Sequence, residues 1–306
     1  MGVGNLSFLH GIAFSGGGFL SEVTDLTPAT NLDELIGYAS GYPDPLFVAN
    51  RMVKPDVRFS TPQLKTILDL CGSTFIADLS GGNTDLYYKL ATNLGVRVAD
   101  ATTSHNRIRM ATGAMYWEEI GAVHGQDATM TARIVPIYNG TNNPFVPAGS
   151  LALAGTPAAA SFYTLGPVAI NAATLNGVKS WRLNLGLQVL EESSGGDVYT
   201  TFCGIGQRAP VLEITSLEVG AWASYGLNGT AVSSLAFSLR KKSADGGNIA
   251  DGTTGHIVFS ASYGKIDVIN TSGSGNTPAT TTLRIPLRAP DSSTATLTFN
   301  SSTNIS

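Results

Sequence analysis

Polar and apolar residues alternate with a period of two along much of this chain, the signature of strands with one buried face. Trp181 to Leu190 (Trp-Arg-Leu-Asn-Leu-Gly-Leu-Gln-Val-Leu) is the cleanest run and reads as one strand. Arg107 to Met110 alternates likewise, and Ala128 to Tyr138 does so less strictly. Ile257 to Ser262, Lys265 to Ile269 and Thr280 to Arg288 add runs rich in β-branched residues. Clusters of Gly, Asp and Asn at Ser80–Asn83, Ser194–Asp197 and Asp245–Asn248 punctuate these runs, the rhythm of a β-sandwich or barrel.

Helical spacing is rare. Thr61-Pro62 supplies a capping hydroxyl and a proline for a first turn, Leu64, Ile67 and Leu68 form a stripe, and Gly72 is a stop. Ser216 stands in the same relation to Val219, Trp222, Ala223 and Gly226. A shorter stripe over Leu32 to Tyr38 suggests a further helix, and Pro144 to Pro167, full of Ala, Pro, Gly and Ser, reads as the linker and the entry into a second unit.

The two matching helices belong to an internal repeat. Asp100-Ala101-Thr102-Thr103-Ser104-His105 reappears as Asp251-Gly252-Thr253-Thr254-Gly255-His256, and 251 − 100 = 151. At that offset Gly113 meets Gly264, and Thr131-Ala132-Arg133-Ile134 meets Thr282-Leu283-Arg284-Ile285. Upstream the offset is 210 − 55 = 155: Pro55 meets Pro210, Phe47 meets Phe202, and Thr61 meets Ser216. Ile12-Ala13-Phe14 resembles Val168-Ala169-Ile170 further back. The small changes of offset belong in loops, where length is cheap. The expected fold is therefore mainly β: two tandem β-sandwich or barrel units, 1–148 and 149–306, each with one flanking α-helix.

Composition narrows the function classes. Hydrophobic residues make up 43% of the 306, enough for a core, whereas charged residues are only 13%, about half the usual share. Such a surface suits broad subunit contacts. The net charge of −4 argues against a protein that reads nucleic acid through a basic face. No apolar run reaches the length of a membrane span and the N-terminus lacks a signal-peptide pattern, so a protein made in the cytoplasm, away from membranes, is expected. Cys71 and Cys203 read as buried free thiols.

Candidate chemistry is sparse, and neither an enzyme nor a cofactor is expected. His10, His105, His124 and His256 lack metal-site spacing, and the repeat-equivalent His105 and His256 read as residues bonding locally. Ser15-Gly16-Gly17-Gly18 lacks the lysine of a phosphate loop. Glu118-Glu119 and Glu191-Glu192 are adjacent carboxylates that a regular strand sends to opposite faces, unsuited to paired acid–base work. Asn139-Gly140-Thr141 and Asn228-Gly229-Thr230 read as turns, and Trp117, Trp181 and Trp222 as core or interface rather than a sugar platform.

Three features together resemble a known family. They are the strand-rich unit with one flanking helix, the run Ile134 to Pro144 that ends a strand in a turn, and Gly195 to Phe202 leading through Arg208-Ala209-Pro210 into Leu212 to Thr215. In these the chain resembles the major tail tube proteins of long-tailed bacteriophages. The resemblance implies units whose sheets join around a sixfold ring, with stacked rings forming a conduit for DNA. With two units per chain, the ring becomes a trimer with pseudo-sixfold symmetry. Implied partners are further copies of the chain, the tape-measure protein and passing DNA in the lumen, and the tail terminator and distal tail proteins, in a virion tail. Glu118, Glu119, Asp127, Glu191 and Glu192 are candidate lumen-lining residues. Another virion component (capsid decoration, tail terminator or fibre) or a carbohydrate-binding β-sandwich module would share this composition.

Overall fold

A computed structural model of the chain describes residues 6–15, 17–38, 40, 43–92, 95–154, 160–218, 220, 229–289, 291 and 294–305. Its first half runs β1 (Leu6–Ala13), β2 (Phe19–Leu20), β3 (Thr24–Ala29), β4 (Leu32–Tyr38), β5 (Pro45–Val53), β6 (Asp56–Thr61), helix α1 (Leu64–Cys71), β7 (Ile76–Asp78), β8 (Thr84–Ala91), β9 (His105–Met110), β10 (Gly113–Val123), β11 (Thr129–Pro136) and β12 (Val146–Leu151). The second half runs β13 (Tyr163–Ile170), β14 (Ala173–Thr174), β15 (Val178–Asn184), β16 (Leu187–Glu192), β17 (Phe202–Arg208), β18 (Val211–Ser216), β19 (Thr230–Val232), β20 (Leu235–Lys241), β21 (His256–Ala261), β22 (Gly264–Ser274), β23 (Thr277–Pro286) and β24 (Thr298–Thr303). The fold is mainly β, and the paired strands of its sheets are antiparallel.

Each half contributes one five-stranded sheet, β12-β9-β8-β1-β2 in the first and β14-β13-β20-β21-β24 in the second. Both halves share a ten-stranded sheet ordered β19-β22-β23-β18-β15-β10-β11-β6-β3, with β7 also on β10. Two separate hairpins, β4-β5 and β16-β17, complete the set.

Strand registers repeat with the sequence. Leu86 faces Ile108 and Phe237 faces Phe259, both members shifted by 151. Tyr116 faces Arg133 as Asp267 faces Arg284. In the hairpins Leu35 faces Ala49 as Leu190 faces Gly204, and both ladders slip at the same step, Asp33/Glu34 and Gln188/Val189. A shared bulge is a stronger sign of common descent than shared composition, because it fixes which side chains face which way.

The core is continuous across the two halves. Trp181 meets Phe237 edge-on at 5.1 Å between ring centres, Phe237 stacks on Phe259 at 5.1 Å, and Phe75 of the first half lies 5.9 Å from Phe299 of the last strand. Such aromatic pairs add roughly 0.5–1.5 kcal/mol each beyond the area they bury. Helix α1 turns Leu64, Ile67, Leu68 and Cys71 into this core. It starts two residues later than the Thr61-Pro62 pattern suggests. The Thr61 hydroxyl accepts from the Gln63 N–H at 3.1 Å and donates to the Glu22 carbonyl at 2.6 Å, closing the turn into the helix.

Ser216 makes the same pair of bonds, from the Glu218 N–H at 3.0 Å and to the Asn176 carbonyl at 2.7 Å. The helix expected after it, with Val219, Trp222, Ala223 and Gly226, lies outside the described residues.

Three expectations are corrected. Leu32 to Tyr38 is strand β4, not a helix, because its backbone pairs along its whole length with β5. Trp181 to Leu190 is not one strand: Gly186, at φ +55°, turns the chain between β15 and β16, and a Cβ there would sit 2.4 Å from the Ala209 carbonyl oxygen. The stretch read as a linker, Pro144 to Pro167, holds β12, paired to β9, and the start of β13.

The repeated histidines are buried pins. His105 accepts the Leu90 N–H at Nδ1 (3.0 Å), which leaves Nε2 to donate to the Ala99 carbonyl at 3.0 Å. His256 does the same with Lys241 N–H (3.1 Å) and the Ala250 carbonyl (3.1 Å). Beside them Lys89 pairs with Asp100, and Arg240 grips Asp251 through two bonds of 2.7 and 2.6 Å. Those bonds hold the Asp251 carboxyl below its ordinary range. Replacing either histidine by alanine removes a wholly buried ring and leaves a part-buried N–H and a backbone carbonyl without their partner. Chemical denaturation of His105→Ala and His256→Ala is expected to show a loss of about 2–3 kcal/mol each. A loss below about 0.5 kcal/mol would refute the pinning role.

Candidate functional site

A sheet edge presents unpaired N–H and C=O groups, so how each edge of this fold is covered decides what the surface can bind. The two halves meet edge to edge. Glu119 to Val123 of β10 pair with Asn184 to Ser180 of β15, extended at the ends by Leu185 N–H to Glu118 O (2.9 Å) and His124 N–H to Lys179 O (2.7 Å). Those end bonds place residues 118, 120, 122 and 124 at hydrogen-bonded sites. Gly121 and Arg182 therefore face each other across a non-hydrogen-bonded site, where Cα atoms lie about 4.5 Å apart.

A bulge shapes the outer face of this joint. Trp117 faces Ala132 and Glu119 faces Thr131, so Glu118 is the extra residue. Trp117 and Ile120 both point into the core, and Glu118 and Glu119 both point out. This corrects the expectation that the two carboxylates take opposite faces. Glu118 pairs with Arg58 at 2.9 Å and Glu119 with Arg182, both partners well exposed, so each pair contributes at most ~1 kcal/mol. The β22 ladder slips at the equivalent step, Val268/Asn270.

The second contact between halves is made by the β16-β17 hairpin lying on the outer face of the first half's strands. Glu191 reaches Arg133 at 3.0 Å, and Arg133 also binds Asp56 at 2.7 Å. Main-chain bonds run from Val53 N–H to Val198 O (2.7 Å) and from Tyr138 N–H to Thr200 O (2.8 Å). The Arg208 guanidinium sits over the Phe75 ring at 5.4 Å and donates to the Thr74 carbonyl at 3.2 Å. Under the hairpin Tyr116 is wholly buried, and burial pushes its phenol well above the usual range. Burial also pushes the Cys203 thiol up to about 11 and the Cys71 thiol up to about 12, which keeps both as neutral thiols. Cys203, expected to be buried, is only partly so.

The five candidate lumen residues do not converge. Glu118, Glu119 and Glu191 lie on the outer side of the ten-stranded sheet, Glu191 beneath the hairpin. Asp127, near the turn between β10 and β11, is paired with Lys242. Glu192 is exposed on the hairpin. Four of the five thus have a cationic partner within the chain, a pattern that spacing in sequence does not reveal.

Both contacts have counterparts that no other described residue covers. The repeat equivalent of β10's joint segment is Asn270 to Ser274 of β22; β19 covers only Gly264 to Ile266 of that edge. The equivalent of β15 is β3, at the other end of the ten-stranded sheet, paired to β6 alone. The equivalent of the β16-β17 hairpin is β4-β5, whose Leu32, Leu35, Ile36, Tyr38, Leu46, Phe47 and Val48 are exposed.

Among the described residues, no group of three or more His, Cys, Asp or Glu side chains is placed to hold a metal. A depression of about 400 Å³ beside β9 and β12 is lined by Ser7, Tyr88, Asn106, Arg107 and Pro147, without a carboxylate or histidine to act as a base. No helix among the described residues is long and apolar enough to cross a membrane. No protein-family model matches the chain, and no curated protein matches it either.

The half-buried Arg133 is the electrostatic centre of the hairpin contact. Arg133→Ala leaves Asp56 and Glu191 facing each other without their cation and is expected to cost about 2–4 kcal/mol by denaturant titration. Arg284→Ala, at the repeat-equivalent position with no hairpin over it, is expected to cost less than about 0.5 kcal/mol in the dispersed chain. Equal losses would show that the hairpin is not what makes Arg133 matter.

Proposed function

We propose that this chain is a structural protein that polymerises through its sheet edges into closed rings, and that stacked rings form the tail tube of a long-tailed bacteriophage, the conduit for its DNA. The observation that carries the reading is the β10–β15 joint together with the two open edges that are its repeat equivalents. A contact between different edges of one unit is heterologous: repeated, it makes a ring if the rotation closes and a filament if it does not. One such joint is already made inside the chain. The next joins β22 of one copy to β3 of another.

Mapped through the repeat, Asn270 faces Ala29 and Ser272 faces Thr27 of the neighbouring copy, as Glu119 faces Asn184 and Gly121 faces Arg182 within the chain. Pro28, opposite Thr271, has no N–H, so this joint lacks one bond that the internal joint makes. The resemblance to tail tube proteins sets the count: six units from three chains, a trimer with pseudo-sixfold symmetry. The tape-measure protein and then DNA occupy the lumen without sequence recognition, and the tail terminator and distal tail proteins close the two ends. The chain acts without catalysis or a cofactor, as a component of the virion tail.

Stacking has its own support. Leu35 and Leu190 occupy equivalent positions, as do Phe47 and Phe202, and all four are exposed. Each pair lies on the hairpin face turned away from Ile36/Val48 and Glu191/Cys203. A repeated apolar patch of this kind gives a ring six similar contact points for the next ring.

Electron microscopy of the purified chain at high concentration is expected to show hollow tubes, with three chains and six similar lobes per ring. Single closed rings would favour a terminator or decoration protein, and dispersed monomers at every concentration would overturn the proposal. The double variant Phe47→Asp/Phe202→Asp is expected to keep the rings and abolish the tubes. Tubes that persist in this variant would remove the hairpins from the stacking contact.

A further inference from the structure

The exposed face of the β4-β5 hairpin has a specific place to go. Register identity with β16-β17 makes Ile36 the equivalent of Glu191 and Val48 of Cys203. In the second hairpin, Glu191 and Cys203 turn towards the first half and are partly covered by it. In the first hairpin, the same face holds Ile36 and Val48, which are 46% and 59% exposed.

The surface that would receive it exists on the second half. Tyr116, Asp56 and Arg133, the floor under β16-β17, correspond to Asp267, Val211 and Arg284. Tyr116 is wholly buried, whereas the Asp267 side chain is 43% exposed and carries only a 3.6 Å contact with Lys265. Val211 and Arg284 are partly exposed.

The chemistry of hairpin and floor changes together. Where the hairpin brings an acid, Glu191, the floor is Arg133 with Asp56. Where the hairpin brings Ile36, the floor replaces Asp56 by Val211. Arg284 then has its acids in the neighbouring strands, Asp267 and Glu213 directly across from it. An isoleucine on a valine and an arginine stem buries apolar surface without stranding a charge, whereas a glutamate there would add a third acid beside one cation.

We propose that the β4-β5 hairpin is a clasp for a second copy of this chain, its Ile36–Val48 face lying on the Val211–Asp267–Arg284 face of that copy's second half. The proposal rests on the self-assembly reading above and deepens it by naming the contact. The partner is argued from continuity: the equivalent hairpin already makes this contact inside the chain, and the chain has one hairpin more than it has covered floors. Each assembling copy therefore gives a hairpin to one neighbour and receives one from another. The clasp is a contact of side chains across the sheet face, separate from the β22–β3 edge.

Two chains test it, both carrying Cys203→Ser and the one Val48→Cys, the other Asp267→Cys; Cys71, buried at the end of α1, is left in place. Under assembling conditions, a short bismaleimide is expected to give cross-linked dimer in the mixture of the two and none in either chain alone. Leu35→Cys, on the opposite face of the same hairpin, is expected not to cross-link to Asp267→Cys. Rings by electron microscopy with no more Val48–Asp267 than Leu35–Asp267 product would overturn the clasp and leave ring assembly standing. Strong Val48–Asp267 product without tubes would uphold the clasp and sink the tail-tube function, and neither rings nor product would sink both.

Discussion

Everything in this molecule turns on the pairing of β10 with β15. A strand edge in water is an unsatisfied ladder, and a protein must cover it, blunt it or use it. Here the first unit's edge is covered by the second unit, which merges two sheets into one of ten strands and places Trp117 and Trp181 on the same buried side. Their shared contact is Phe259, whose ring lies 6.5 Å from Trp117 and 6.0 Å from Trp181. Burying that aromatic group depends on the joint holding its register, because a slip of one residue would turn Trp181 outward. The edge pairing and the core are one constraint.

What the two halves share, and what they do not, separates folding from contact. The histidine pins, the turn hydroxyls of Thr61 and Ser216, and the bulge in each hairpin are the same in both copies. These groups satisfy buried backbone, and their cost of loss is internal to a unit. The groups that differ include Glu191 and Asp56, which lie where the second half touches the first, and their counterparts, the exposed Ile36 and the partly exposed Val211. Two units in one chain are free to diverge: the internal contact uses a partly buried ion pair, whereas the equivalent positions carry apolar side chains.

The repeat was legible in sequence because matched residues such as His105 and His256 do a job that allows few substitutes: one ring that bonds a backbone donor and a backbone acceptor at once. Helix α1 was legible because Leu64, Ile67 and Leu68 all face one core. The hairpin β4 was not. Its Leu32, Leu35 and Ile36 mimic a helical stripe, and both faces of the strand carry exposed apolar residues, so the alternation that marks a half-buried strand is missing. The split of Trp181 to Leu190 at Gly186 hid for the opposite reason: alternation continues through the glycine although the chain leaves one sheet for another. The outward turn of both Glu118 and Glu119 depends on a bulge, and a bulge is a property of two strands, of which a single run of sequence shows one.

The charges on the outer face bear on what could pass along it. Arg58 with Glu118, Arg182 with Glu119, and Arg133 with Asp56 and Glu191 are joined cation to carboxylate. An arginine already held by a carboxylate offers a phosphate backbone little net attraction, since binding would have to break an existing pair to make a new one. The face also lacks the dense negative wall that would repel a polyanion from a distance. Low affinity by internal pairing differs physically from low affinity by repulsion: salt screens long-range repulsion at exposed charges, whereas partly buried pairs such as Arg133–Glu191 are screened much less. Four of the five candidate acidic residues are neutralised in this way within the chain, which supports the proposed conduit reading.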